Sequence, residues 1–482
     1  MDQLCAYNTR LKLSNRFRWV FCQLEILRDC LPPSVRRTLD ELPESLDGTY
    51  ERVLKEIKKP NRDHARHLLQ CLVVAIRPLR VEELAEVLAV DFDDADGMPK
   101  LNPKWRWEDE EQALLASCSS LIVVVGSGKS RALEFSHFSV REFLTSTRLA
   151  TSSGDALRYH IALEPAHTTL AQACMSVLLQ SDDREELSDS PLARYAAEHW
   201  VAHAQFEHVS SYLRTSIESL FDMNKPYFAA WLKLHDIDPR SPSDSTFYVF
   251  TPYNKRGASP LYYAALCGFR DLVEKLIVKY PQHVNASGGC YVRPLVAALA
   301  GKHFQTAELL RHSGANPNVR GYAENTPLHS AAYYGDVEMV QKVLDLEADV
   351  NLRNKHGQTP LDYCALIPSA FRNIPTFPIL LANVARLLLD HGADINTRTH
   401  DSWTPLHTAV DSECIEVVRV LLEHGANVDA EDGQGRTPFT LAMENGCCME
   451  VACAVFASPV PSRGDSPLPP TTRAAPHALC CD

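Results

Sequence analysis

Long apolar runs are missing from this sequence. The longest strongly apolar stretches, residues 71–76 and 121–125, are far shorter than the roughly 20 residues that a membrane-spanning helix needs. Charges and amides are scattered through residues 1–18, so the apolar centre of a secretory signal is missing as well. The sequence therefore predicts neither a membrane protein nor a secreted one, and we expect a cytoplasmic location, with the nucleus as an alternative.

A surplus of basic residues is also lacking. The chain carries 48 Lys and Arg against 61 Asp and Glu, which gives a formal net charge of −13 and a pI near 5.8. Such a surface repels phosphate groups, so the composition argues against a general nucleic-acid or membrane-surface binder. The 15 cysteines are dispersed and odd in number, and most fall in helical apolar patterns. This distribution predicts free thiols in a reducing compartment.

Motifs for nucleotide, metal or acyl chemistry are incomplete. Gly126-Ser127-Gly128-Lys129-Ser130 resembles the end of a phosphate-binding loop, but Val123 stands where such a loop needs its first glycine. The residues that follow alternate like a strand, so we predict a hairpin turn there. His199 and His203 lie four residues apart without a third ligand in the local sequence, and we interpret them as an exposed or cavity-edge pair. The sequence thus predicts no enzyme, no catalytic residue, no metal and no cofactor.

Internal repetition is the strongest positive signal. Tripeptides of the type small–Pro–Leu recur with their prolines separated by 34, 33, 33, 45 and 33 residues, by subtraction. The prolines are Pro260, Pro294, Pro327, Pro360, Pro405 and Pro438. Threonine precedes four of them and can cap a helix in which proline takes the first position. Gly268, Gly335 and Gly446 follow at the position where the helix ends. The spacing predicts a pair of helices for each period of about 33 residues.

The segments Thr326-Pro327-Leu328-His329 and Thr404-Pro405-Leu406-His407 closely resemble the opening of an ankyrin repeat. The resemblance implies about five and a half ankyrin repeats over residues 257–456, in which His329 and His407 form hydrogen bonds across repeats. The long interval of 45 residues indicates an insertion near residues 366–378, which we predict as a loop because its prolines oppose a longer helix. Glu413 stands where the helix-ending glycine is usual.

The N-terminal half has a different pattern. Helical periodicity over residues 64–76, 81–90, 108–118 and 140–149, with alternating runs at 121–125 and 132–138, predicts a winged-helix-like domain over residues 61–150. Its helix in the recognition position begins with Glu108, Asp109, Glu110 and Glu111, so binding to DNA is disfavoured. Residues 155–235 are predicted as helical hairpins that bridge to the repeats, and residues 236–256 as a linker. Residues 457–482, with six prolines, are predicted to be disordered.

Two motifs in this half resemble the region that follows the ATPase of fungal NACHT–ankyrin proteins, which are STAND-type NTPases related to NOD-like receptors. They are Phe135-Ser136-His137-Phe138-Ser139-Val140-Arg141-Glu142-Phe143-Leu144 and Tyr195-Ala196-Ala197-Glu198-His199-Trp200. The resemblance implies that residues 1–60 are the helical tail of a NACHT-type module and that the ATPase, which precedes this region in that family, is missing from the present sequence. ATP hydrolysis is therefore not expected of this chain.

The sequence as a whole predicts a mainly α protein: a winged-helix-like and helical-hairpin N-terminal half followed by an ankyrin-repeat solenoid. We expect a protein-binding scaffold or recognition module, similar to the sensor arm of a fungal NOD-like-receptor-type signalling protein. Two alternatives stay open, namely a split part of a STAND NTPase that needs an upstream nucleotide-binding domain, and a substrate adaptor for another enzyme. The predicted partner-binding residues lie at the repeat tips and first helices: Tyr333, Tyr334, Arg353, Lys355, His356, Arg398, His400, Asp401, Trp403, Asp411 and Ser412.

Overall fold

The computed structural model describes residues 45–92, 99–152, 154–180, 190–238, 257–367, 371, 374–445 and 449–456. The predicted tail over residues 457–482, most of the predicted linker, Gly446 and residues 1–44 lie outside this range. The chain divides into two compact units. The first comprises Met1–Arg240, Arg256–Gly289 and Gln305–Ser313, and the second comprises Ser241–Lys255, Cys290–Phe304 and Gly314–Asp482. Among the described residues, no helix is both long and apolar enough to cross a bilayer.

The first unit begins with a winged helix. Its helices are α1 (Leu46–Glu56), α2 (Arg62–Val74), α3 (Val81–Val87) and α4 (Glu110–Cys118), followed by α5 (Phe138–Leu144) and α6 (Thr147–Ala150). Its strands are β1 (Leu79–Arg80), β2 (Val90–Asp91), β3 (Lys100–Leu101), β4 (Ile122–Val125) and β5 (Ala132–Phe135). An antiparallel sheet of order β1-β5-β4 covers the helices, and β2 pairs with β3. Leu68, Leu84, Leu114 and Leu133 fill the core with at most 1% of their surface exposed. The predicted winged helix is confirmed, with β1, β2 and β3 as additional strands of two residues each, too short to show in the sequence pattern.

The glycine-rich segment that resembles part of a phosphate-binding loop is the turn of this wing. Residues 126–131 connect β4 to β5, with Val125 paired with Ala132. Gly126 has a φ of +96°, and a Cβ there would lie 2.6 Å from the carbonyl oxygen of Ser130. Glycine is thus required by the backbone of the turn, and the prediction of a hairpin is confirmed.

Helices α7 (Leu163–Leu178), α8 (Ala193–Ala204), α9 (Val209–Tyr212), α10 (Arg214–Leu220) and α11 (Tyr227–Leu234) follow the winged helix. They enclose an aromatic core. The rings of Trp200 and Trp231 meet edge to face at 5.3 Å, and the indole N–H of Trp231 donates to the carbonyl of Ala197 at 3.0 Å. The same unit holds α12 (Pro260–Leu266) and α13 (Arg270–Lys279), and Phe269 stacks on Trp200. The first helical repeat therefore shares the core of the bridging helices.

The second unit consists of paired helices. Helix α14 (Pro294–Ala300) is followed by α15 (Phe304–His312), and the greater part of α15 lies in the first unit. The next helices are α16 (Pro327–Tyr333), α17 (Val337–Asp345), α18 (Pro360–Cys364) and α19 (Phe377–Asp390). The remaining pairs are α20 (Pro405–Asp411) with α21 (Ile415–Glu423), and α22 (Pro438–Glu444) with α23 (Met449–Phe456). Buried aliphatic side chains such as Leu328, Val340, Leu388 and Leu406 join consecutive pairs.

The insertion in the fourth repeat lengthens a helix. Helix α19 has 14 residues where α17 and α21 have 9. Pro378 lies in its first turn, where the missing N–H leaves no hydrogen bond broken. The expectation that these prolines would prevent a longer helix is therefore wrong. Between α18 and α19, however, the described residues 365–367, 371 and 374–376 lie outside both α-helices, where a loop near residues 366–378 was predicted. Glu413 takes the place of the helix-ending glycine with a φ of +56°, close to the +66° of Gly335.

Candidate functional site

In the second unit, the first helix of each of four repeats begins with the same type of N-terminal cap. This cap stabilises the start of the helix and so the surface of the repeats. In each, a threonine N–H donates to the side chain three residues later, and proline fills the next position. The pairs are Thr326 with His329 at 3.1 Å, Thr359 with Asp362 at 2.7 Å, Thr404 with His407 at 3.2 Å, and Thr437 with Thr440 at 2.7 Å. The hydroxyl oxygens of Thr404 and Thr437 also accept from the N–H three residues later, at 3.4 and 3.3 Å, so the capping predicted from the Thr-Pro pairs is confirmed at these two helices.

His329 and His407 also connect neighbouring repeats. Because Nδ1 accepts from the threonine, Nε2 carries the proton and donates to the carbonyl of Gln358 at 3.0 Å or of Arg436 at 3.1 Å. Burial lowers the pKa of His329 to about 4 and lowers the pKa of His407 as well. Both imidazoles are thus neutral cross-repeat donors, as the sequence predicted.

Asp362 departs from this arrangement. It occupies the position of His329 and His407, but its Oδ2 accepts from Thr359 while its buried Oδ1 has no hydrogen-bond partner. Burial raises its pKa to about 6, although the bonds from Thr359 act in the opposite direction. The fourth repeat therefore buries a carboxylate oxygen where its neighbours place an N–H donor. Sequence analysis missed this residue, and the signal was the change from Thr-Pro-Leu-His to Thr-Pro-Leu-Asp.

Replacing Asp362 with asparagine is expected to stabilise the second unit by about 1–3 kcal/mol at pH 7.5. Asparagine keeps an oxygen for Thr359 and carries no charge, so the folded state no longer buries an ionised carboxylate with an unpaired oxygen. The gain should shrink as the pH falls from 6 to 3.8, because the wild-type carboxyl is then protonated in the folded state. Urea denaturation at several pH values measures this difference.

Asp432→Asn is the matched control for this experiment. The carboxylate of Asp432 accepts from the guanidinium of Arg436 at 2.8 and 2.9 Å. Burial acts to raise its pKa, but the hydrogen bonds from Arg436 and Gln434 prevail and lower it to about 2. This variant should therefore destabilise the protein at pH 7.5. If both variants changed the free energy of unfolding in the same direction, the assignment of an unpaired carboxylate at Asp362 would be contradicted.

Arginines at the repeat tips form a ladder. The guanidinium of Arg320 donates to the carbonyl of Arg353 at 2.9 Å, that of Arg353 to the carbonyl of Arg398 at 3.1 Å, and that of Arg398 to the carbonyl of Glu431 at 2.6 Å. Each arginine thus contacts the backbone of the next tip. Arg353 and Arg398, predicted to bind a partner, remain exposed but also order the tips.

Backbone bonds reinforce the ladder and set the direction of the exposed side chains. Lys355 N–H donates to the carbonyl of Ala323 at 2.9 Å, and His400 N–H donates to that of His356 at 3.1 Å. Gly433 N–H donates to the carbonyl of Asp401 at 3.0 Å. The backbones of these residues are fixed, while the side chains of Lys355, His356, His400 and Asp401 are exposed. Together with Arg353 and Arg398 they form what we name the tip row.

The predicted residues on the first helices are less accessible. Tyr333 and Tyr334 are half-buried, and their rings meet at 5.3 Å. Tyr333 also lies 5.9 Å from the ring of Tyr363, and Tyr334 lies 6.2 Å from that of Phe371. Trp403 is half-buried beside His407. These aromatic residues pack against neighbouring rings of the repeats and remain partly exposed.

Asp411 and Ser412 end the first helix of the fifth repeat. Asp411 is exposed, and its Oδ1 accepts from the side-chain amide of Asn445 at 2.8 Å. Ser412 is half-buried. Both lie apart in sequence from the tip row, and they occupy the helix-end positions that Tyr333 and Tyr334 take in the third repeat.

Comparison with known families agrees with this geometry. Family models described as ankyrin repeats match residues 309–364, 356–400 and 379–458. The chain contains ankyrin repeats. Ankyrin repeat and SAM domain-containing protein 6 from Mus musculus is 33% identical over 111 residues, which cover 22% of this chain and 12% of that protein. Ankyrin repeat and SOCS box protein 16 from Homo sapiens is 34% identical over 125 residues, covering 25% of this chain and 26% of that protein.

The N-terminal half has its own matches. A family model described as the winged-helix domain of GPI inositol-deacylase matches residues 50–155. A Monascus ruber protein described as azaphilone pigments biosynthesis cluster protein L is 29% identical over 299 residues, covering 58% of this chain and 61% of that protein. The chain thus spans less than two thirds of each of these relatives. The winged helix and the fungal relative fit the resemblance to NACHT–ankyrin proteins.

His199 and His203 lie in the first unit, remote in sequence from the ankyrin repeats, and the interpretation of the pair as exposed or cavity-edge residues is wrong for His203. His203 is fully buried between the hydroxyl of Tyr195 and Nδ1 of His167, each at 2.9 Å. His199 is half-buried, with Nε2 3.7 Å from Glu198. In the described part of the chain, no three His, Cys, Asp or Glu side chains are grouped so that they could hold a metal ion.

Proposed function

We propose that this protein works by binding a protein partner on its ankyrin surface, and that the tip row is the centre of the contact. Ankyrin repeats are protein-interaction modules, and the observation that carries the proposal is the fixed backbone of exposed, chemically varied tips. The arginine ladder and the bonds between successive tips order these residues before a partner arrives. Preorganisation of this kind lowers the entropy cost of association.

The ankyrin surface combines basic side chains with partly exposed aromatic rings. The tip row offers Arg353, Lys355 and Arg398 with a single carboxylate, Asp401. The partly exposed rings of Tyr333 and Tyr334 would supply aromatic anchors, with Trp403, Asp411 and Ser412 at the edge of the contact. Aromatic and arginine side chains often contribute most of the binding energy at interfaces. An acidic protein surface is the partner that fits these tips.

The test is affinity capture with the full chain. The variant Lys355→Glu/His356→Glu/His400→Glu changes three exposed side chains whose backbones, rather than side chains, connect the tips. We expect partner recovery to fall by about tenfold or more, because reversed charges repel an acidic surface. Glu338→Lys, an exposed change on the second helix α17, should leave recovery unchanged. Equal partner recovery with the wild type, the triple variant and Glu338→Lys would contradict the proposal.

The tyrosines need a separate variant because they also pack. Tyr334→Ser removes a ring that is half-buried against Phe371, so its effect on partner binding is compared with its effect on the melting temperature. A loss of binding of about tenfold, with the melting temperature lowered by no more than a few degrees, supports a contact role. A large fall in melting temperature would instead assign the ring to packing.

We further infer that the chain acts as a recognition arm without chemistry of its own, in a cytoplasmic or nuclear signalling protein related to fungal NOD-like receptors. The resemblance of the motifs at residues 135–144 and 195–200 to NACHT–ankyrin proteins supports this role. Free, buried thiols at Cys71, Cys118 and Cys174 are in keeping with a reducing compartment.

A further inference from the structure

Two tryptophans lie exposed on the winged helix, far in sequence from the ankyrin repeats. Trp105 and Trp107 have 46% and 58% of their surface accessible, which is unusual for side chains of this size and hydrophobicity. They line a groove of about 680 Å³ in the first unit. We name it the indole groove, and its other lining residues include Pro60, His64, Leu88 and Gln112.

The indole groove offers hydrogen-bond donors along an apolar wall. Leu88 and Ala113 are buried at its base. Within the described residues, neither Trp105 nor Trp107 has an acceptor for its indole N–H. A ligand that matches this wall must bring apolar surface together with carbonyl acceptors.

One end of the groove is acidic. Glu108 and Asp109 line it and are exposed at the start of α4, with Glu110 next in the chain. Arg106 also lines the groove, but its guanidinium is paired with the carboxylate of Glu86. Arg131 is similarly engaged, with Glu111 at 2.6 Å. Negative charge therefore prevails among the residues that line the groove, and tryptophan faces attract cations as well.

We propose that the indole groove binds a proline-rich peptide segment that carries arginine or lysine. A polyproline helix has no internal hydrogen bonds, so its carbonyl groups are free to accept from the indole N–H groups. Its prolines stack on aromatic walls at low entropy cost, which is how other aromatic grooves recognise such segments. The basic residue would then pair with Glu108 and Asp109. This binding is separate from that of the ankyrin surface, and neither depends on the other.

The experiment uses the full-length protein and fluorescein-labelled dodecapeptides, with binding followed by fluorescence anisotropy. The probe peptide alternates Pro-Pro pairs with leucine and ends in two arginines. We expect saturable binding with a Kd on the order of 10–100 μM, as is usual for short extended ligands. Binding should weaken as salt is raised from 50 to roughly 500 mM, because its charge contribution is screened.

Two variants test the groove itself. Trp107→Ala should weaken binding by about tenfold or more, because it removes both a stacking face and a donor. Glu108→Lys should weaken it by about fivefold and abolish the salt dependence. Tyr212→Ala is the control, since Tyr212 is 64% exposed but lines a different groove beside Arg66 and Glu164. All three side chains are exposed, and circular dichroism establishes that each variant is folded.

Several results would overturn the proposal. One is the absence of saturation at roughly 1 mM peptide, where even weak recognition is detectable. Equal affinity for a peptide in which the arginines are glutamates would remove the charge argument. Tighter binding of a helical peptide, with alanine in place of proline, would assign the groove to an amphipathic helix instead.

Discussion

The unit that contains the winged helix should lose stability steeply in acid, and His203 should account for much of the loss. Burial lowers the pKa of His203 from 6.5 to about 3, with smaller contributions in the same direction from His167 and His199. Between these two pH values the unfolded chain binds a proton that the folded state excludes. The free energy of unfolding should therefore fall by about 1.4 kcal/mol for each pH unit below 6.5, or about 3 kcal/mol by pH 4.

The geometry gives the reason for this sign. Tyr195 accepts from the N–H of Ile76 at 3.2 Å, so its own hydroxyl proton points to Nε2 of His203. Nδ1 of His203 then donates to Nδ1 of His167. A proton added to Nε2 would oppose the tyrosine hydroxyl, and the charge would be buried without a counter-ion among these partners.

Fluorescence of the buried Trp200 and Trp231 follows unfolding of this unit in urea at pH 7, 6, 5 and 4. His203→Gln should reduce the slope of stability against pH by about one proton, even if it lowers stability at every pH. His208→Gln, an exposed residue in the same unit, should retain the wild-type slope. An unchanged slope in His203→Gln would show that the acid sensitivity arises elsewhere.

Replacing Glu83 with alanine is expected to lower the free energy of unfolding of the same unit by about 3 kcal/mol. The side chain of Glu83 is fully buried, and its two oxygens accept from Arg77 at 2.7 and 2.8 Å and from the backbone N–H of Arg80 at 2.8 Å. Burial acts to raise its pKa, but these hydrogen bonds outweigh burial and the pKa is lowered. Alanine would remove the cap of α3 and leave two guanidinium groups without their shared acceptor.

Arg77 and Arg80 each keep about a third or more of the side chain exposed, so water can hydrate their guanidinium groups in the variant. The expected loss in the free energy of unfolding is therefore at the lower end of the range for a broken buried ion pair. Glu82→Ala is the matched control, one residue earlier in the same helical turn. Glu82 is 3.6 Å from Arg131 and partly exposed, so the expected change is less than about 1 kcal/mol. Similar losses for the two variants would contradict a special role for Glu83.

The ankyrin repeats were predictable because their determinants are local. The Thr-Pro pairs recur at a fixed spacing, and each cap is completed by a residue three positions later. The cross-repeat bonds of His329 and His407 follow once the repeats stack at that spacing. The turn at Gly126 was predictable for a similar reason, since the strand pattern on both sides determines where the chain reverses.

The sequence by itself thus determined the helix starts, the repeat period and the wing, because hydrogen bonds within a few residues depend on residue types alone. Only the tertiary structure decided which side chains are buried and which groups contact them. His203 meets His167 across 36 residues of sequence, and Glu86 accepts from Ser190 across 104. The unpaired oxygen of Asp362 and the exposure of Trp107 are likewise set by which helix faces come together. Such contacts depend on the packing of whole elements, which no short window of sequence contains.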